Sequence, residues 1–119
     1  RYLFHHLFER EKNISTEAYL SHIFSHFKKN QDHVTSLLFS KNDYFLRQLQ
    51  KELEHHVYPM VAEDLQVAYP NIPASYLKHF VVTNFIETLT WWLKKGKSYK
   101  EDQVVRFYLD VMEMNSKKL

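Results

Sequence analysis

PASYLKHFVVTNFIETLTWWLKKGKSYKEDQVVRFYLDVMEMN, residues 73–115, is the stretch on which the fold turns. It holds two apolar-rich segments with a sharp stop between them. Placed on a helical wheel at about 100° per residue, Pro73–Lys95 gathers only His79, Thr83, Glu87, Thr90 and Lys94 into a polar strip. Leu77, Phe80, Val81, Val82, Phe85, Ile86, Leu89, Trp91, Trp92 and Leu93 spread over roughly 240° of the remainder. The second segment, Tyr99–Asn115, behaves alike. Val104, Val105, Phe107, Tyr108, Leu109, Val111, Met112 and Met114 leave Arg106, Asp110 and Glu113 as its polar strip. Gly96 is a common helix-ending signal, and Pro73 suits a first helical turn. Ser98-Tyr99-Lys100-Glu101 matches the capping-box pattern that opens a helix.

A helix that covers only its own core needs an apolar arc of about 100° or somewhat more. Two consecutive helices with twice that arc call for a second burial. A two-fold partner supplying the same pair would meet it, forming a four-helix bundle across the interface. The residues expected to pair are Val81, Phe85, Leu89, Trp92, Val104, Tyr108, Val111 and Met112. The alternative is that both helices are central ones wrapped by the earlier helices. A wheel does not say which arc faces the core and which the partner.

Upstream, the same spacing predicts further helices and no strands. Ser15 or Thr16 can cap a helix in which Tyr19, Leu20, Ile23, Phe24 and Phe27 share one face. Asn30-Gln31-Asp32 punctuates, and Val34, Leu37, Leu38 and Phe39 make a helix of two or three turns. After Ser40-Lys41-Asn42-Asp43, a long helix carries Phe45, Leu46, Leu49, Leu53, Val57, Met60, Val61 and Leu65 at helical intervals. Pro59 lies inside it and predicts a kink near His55–Tyr58. The helix should end by Tyr69, ahead of Pro70. Tyr2–Arg10 reads as the end of a helix begun upstream. The chain, which opens without methionine, reads as one regulatory domain over residues 1–119, cut from something longer.

Composition agrees with an all-α bundle of about five to six helices. One glycine and three prolines in 119 residues are too few for the turns of a sheet protein, and 45% hydrophobic residues exclude a disordered chain. Without cysteine there is no disulfide or thiolate metal site, which suits a reducing cytoplasm. The net charge of +2 and the absence of a long basic run give no nucleic-acid surface. No apolar stretch approaches the roughly 20 residues that cross a bilayer.

Several of these features together resemble the C-terminal regulatory domain of TetR-type transcriptional regulators over about Thr16–Met112. They are Lys29-Asn30-Gln31 ahead of Leu37-Leu38-Phe39, the terminus Trp92-Leu93-Lys94-Lys95-Gly96, and the Ser98-to-Glu101 start of the last helix. The subgroup it is most similar to regulates dihydroxyacetone-kinase operons. The resemblance implies a bacterial homodimer that holds a small-molecule effector or meets a regulatory protein. DNA would then be bound by an N-terminal helix-turn-helix domain that is not in this sequence, with Tyr2–Arg10 as the remnant of the connecting helix.

The side chains offer polar groups in apolar settings. His56 falls on the apolar stripe of the long helix, and Asn84 and Thr88 lie within the apolar arc of the next; such groups need partners from protein, water or ligand. Together with Tyr19, Phe24, Phe27 and Tyr58 they are the candidate lining of an effector cavity. His22 and His26, four apart, could chelate a metal only with further ligands, so a helical metal-binding protein is a competing reading. A dimerisation scaffold without a ligand is another. No nucleophile–base–acid set, phosphate-binding glycine loop, Gly-x-Ser-x-Gly or His-Glu-x-x-His occurs, so neither catalysis nor a cofactor is expected.

Overall fold

The computed structural model describes residues 14–40, 42–96 and 98–118, with side chains up to Met112. The segment Tyr2–Arg10 lies outside them. Six helices follow one another: α1 (Thr16–Lys29), α2 (Gln31–Phe39), α3 (Asp43–His56), α4 (Tyr58–Ala68), α5 (Ala74–Lys94) and α6 (Glu101–Lys118). The described residues include no strand.

Local chemistry sets most boundaries. Ser15 Oγ accepts the Ala18 N–H at 3.1 Å, and Asn42 Oδ1 accepts the Phe45 N–H at 2.8 Å, so α1 and α3 each begin on a side-chain cap. At the far end of α4, Gln66 Nε2 donates to the carbonyls of Tyr69 (3.1 Å) and Ile72 (2.9 Å), tying the turn into α5.

The expected long, kinked helix is two helices. Pro59 has no N–H to return to the His55 carbonyl, and Met60 N–H bonds the Val57 carbonyl at 3.0 Å, three residues back. The ladder therefore lapses at Val57, and Pro59 sits in the first turn of α4, where its missing donor matters least.

Core formation makes α5 the centre. It packs on α2, α3, α4 and α6. Phe24 of α1 reaches it as well, edge-on to Phe85 at 5.0 Å and stacked on Trp92 at 5.5 Å. α6 lies against α1, α4 and α5, and Arg106 on it meets Glu17 of α1 at 2.8 Å. One hydrophobic core joins buried residues from all six helices, among them Tyr19, Phe27, Leu53, Val81, Leu89, Val104 and Met112. The broad apolar arc of α5 is thus largely used inside the chain, as the central-helix alternative requires.

Candidate functional site

The corner between α5 and α6 decides what remains outside. Lys95 N–H donates to the Trp91 carbonyl (2.7 Å), and Gly96 N–H is shared between the Trp91 and Trp92 carbonyls (3.1 Å each). Gly96 does not adopt the left-handed backbone expected of a terminating glycine. A Cβ there would lie 2.8 Å from the Trp91 ring, so the residue must be small for that ring to fold across it. Adjacent tryptophans then part company. Trp92 turns inward, and its Nε1–H donates to the Tyr99 carbonyl at 2.9 Å. Trp91 turns outward against Tyr99, ring centroids 5.8 Å apart, and Tyr99 meets Phe107 edge-on at 5.2 Å.

α6 opens two residues later than the Tyr99 start the sequence predicts. The cap position is Lys100, whose N–H donates to Gln103 Oε1 at 2.9 Å, while Val104 N–H returns to the Lys100 carbonyl at 3.1 Å. This is the returning half of a capping box, and Ser98 to Glu101 is not the pair that forms it. Tyr108 fixes the helix rotation, because its buried hydroxyl donates to the Val81 carbonyl at 2.6 Å. Burial holds that phenol well above its usual pKa. With Tyr108 turned in alongside Val104, Val105 and Met112, Phe107 and Val111 are left on the outer side.

The result is an apolar strip on the outer side of α5 and α6. Trp91 is 41% exposed, Tyr99 39%, Phe107 42% and Val111 60%, large values for such side chains. Between the helices runs a groove of about 430 Å³, walled by Trp91, Phe107 and Val111 and edged by Asn84, Glu87 and Thr88.

Of the residues predicted to pair across a dimer, Val81, Phe85, Leu89, Trp92, Val104, Tyr108 and Met112 are buried in this chain's own core; only Val111 lies outside. Apart from Val111, the side chains expected at a dimer interface are therefore turned into this chain's own core. Both arcs are apolar, and only the contacts of α1 to α4 show which one is covered. Tyr99, the first residue of the predicted last helix, stands instead in the turn before it, where a helical wheel does not place its side chain.

The predicted effector residues are not brought into one cavity. Phe24 and Phe27 are core. Tyr58 Oη reaches only to 3.5 Å from the Ala74 carbonyl. Asn84 and Thr88 edge the α5–α6 groove. Tyr19 and His56 do meet, but elsewhere, beside the joint between α3 and α4. One depression there, about 350 Å³, is lined by Thr16, Tyr19, His55, His56, Pro59 and Met60. A second, about 560 Å³, is lined by Lys51, Glu52, Glu54, His55, His56 and Lys78. The two share both histidines, whose rings stand edge-on at 4.7 Å. His56 Nε2 lies 3.2 Å from Glu52 Oε1. Burial lowers the His56 pKa, more than the Glu52 carboxylate restores it; His55 lowers it further. His22 and His26 pack edge-on at 4.7 Å, and no group of three or more metal-ligating side chains is assembled among the described residues.

The sequence pattern of a family described as the C-terminal region of transcriptional regulators, in its TetR division, matches residues 15–114. A crystal structure of a TetR transcriptional regulator from Streptococcus agalactiae is similar, with a TM-score of 0.76 and 41% sequence identity. The match covers 92% of this chain and 62% of that one, so this chain spans under two thirds of that regulator's length. No curated protein matches the chain.

Proposed function

Because this chain belongs to the C-terminal regions of TetR-type transcriptional regulators, a family of regulators and not of enzymes, we propose that it is their dimerisation and regulatory domain, pairing with a second copy through the outer face of α5 and α6. The observation that carries this is the exposed strip Trp91–Tyr99–Phe107–Val111. Its four side chains come from the last two helices and the turn between them, and Trp91, Phe107 and Val111 border an apolar groove. Exposed apolar surface gathered in one place marks an interaction site. A two-fold axis through it sets α5 and α6 against their copies as a four-helix bundle.

In the whole regulator, this pairing holds two DNA-binding domains at a fixed spacing, in the cytoplasm, and an effector alters that spacing by shifting helix packing. The resemblance to regulators of dihydroxyacetone-kinase operons supports an effector that is either a small molecule or a partner protein. Among the described residues no polar or charged residue is buried in the core, so a polar effector is better served by surface depressions than by the interior. Native mass spectrometry of the purified chain tests the reading. A species of twice the 14.5 kDa chain mass is expected, with any retained ligand visible as added mass. A monomer at tens of micromolar contradicts it.

A further inference from the structure

We propose that the paired depressions at the α3–α4 joint form a proton-coupled binding site for a small organic oxyanion, with Lys51, Lys78, His55 and His56 around its charged group. The site shares no lining residue with the α5–α6 groove. It rests on the regulatory reading only in that its ligand would be the effector.

Three observations lead there. First, the cations come from separate elements. Lys51, His55 and His56 stand on the last two turns of α3, and Lys78 stands on the first turns of α5, so an anion between them bridges two helices. Second, the volumes, about 560 and 350 Å³, suit a metabolite and not a lone ion. The polar depression takes the charged group, and the Tyr19, Pro59 and Met60 side takes the carbon skeleton, with the Thr16 hydroxyl beside it.

Third, the charge balance makes the site conditional. With neutral imidazoles, Lys51 and Lys78 face Glu52 and Glu54, and the charges of the described lining residues cancel. Tyr19 is the titratable group that α1 brings to the lining. Protonation of His56 is what turns the field positive, and an arriving oxyanion in turn favours that protonation. Anion and proton therefore bind together. Because burial holds the His56 pKa below the ordinary 6.5, affinity rises as pH falls below about 6.5 and is weak at pH 8. Glu52 takes part by holding the His56 ring at 3.2 Å.

Sulfate is the probe of choice, since its charge is constant over this range, and acetate tests the carboxylate arm. Two-dimensional NMR of the whole chain should show saturable sulfate shifts confined to Thr16, Lys51, His55, His56 and Lys78. The dissociation constant should fall about threefold or more from pH 7.5 to 5.5. Lys78→Gln should weaken binding at both pH values. His56→Gln should remove most of the pH dependence while leaving circular dichroism unchanged. Acetate shifts at the same residues would place carboxylates in the ligand class; sulfate shifts alone would restrict it to tetrahedral oxyanions. Shifts that never saturate, that spread equally to Lys94 and Lys95, or that ignore pH would overturn the proposal. Sedimentation of the same samples keeps the two readings apart: loss of the anion site with an intact dimer removes only the site.

Discussion

At Gly96 a hydrogen in place of a side chain gives the Trp91 ring its place, since a methyl group would come within 2.8 Å of it. The residue's value is space, not backbone freedom. Gly96→Ala should therefore destabilise by about 1–3 kcal/mol, the usual cost of overpacking, read by urea unfolding; it should also shift the emission of the displaced tryptophan. Tyr108 makes a complementary case. Its hydroxyl satisfies a carbonyl of the neighbouring helix in a dry setting, and Tyr108→Phe should cost about 1 kcal/mol in the same assay. His56 gives a pH signature. Its folded pKa lies below the ordinary 6.5, so the unfolded chain binds the proton more readily. Stability is complete above that value and declines as pH falls through about 6.5 toward the folded value. In chloride buffer, urea midpoints at pH 7.5 and 5.5 should differ less for His56→Gln than for the natural sequence.

Helices as units were legible to the extent that local chemistry fixes them. Ser15 and the cluster Ser40 to Asp43 announced the starts of α1 and α3, and the side chains of Ser15 and Asn42 make those caps. Where two local signals competed, packing chose. Ser98 to Glu101 spelled a capping box, yet Trp92 holds the Tyr99 carbonyl and Gly96 holds the Tyr99 N–H, so the helix cannot open until Lys100. The prediction that follows is selective. Gln103→Ala should lower stability by up to about 1 kcal/mol through loss of its bond to Lys100 N–H. Ser98→Ala, on an exposed residue, should stay within about 0.5 kcal/mol of the natural chain. The proline signal was read at the right place but understated, because one missing donor at Pro59 ends a helix whose C-terminal half has another direction in which to pack.

At the scale of the molecule, periodicity showed that α5 and α6 are apolar on more than one side, and a sequence carries no further information about which side a neighbour covers. Only the folded contacts separate Trp92 from Trp91, or Tyr108 from Phe107, pairs that differ by one position and by a full change of environment. The candidate effector residues lie apart for the same reason: His56, Asn84 and Thr88 stand out as polar groups within apolar stripes and Tyr19, Phe24, Phe27 and Tyr58 as aromatic side chains, and their helices present them to different sides of the bundle. A charge at Phe85 or Trp92 is consequently expected to unfold the chain instead of merely separating two copies. The test of the central claim is sedimentation equilibrium at tens of micromolar of the natural chain, Val111→Arg, and Phe39→Arg as a control on an exposed apolar residue of α2 outside the strip. The natural chain and Phe39→Arg should sediment as dimers, and Val111→Arg as a monomer with undiminished helical circular dichroism. A monomeric natural chain, or a Val111→Arg dimer of unchanged affinity, would contradict pairing through this face.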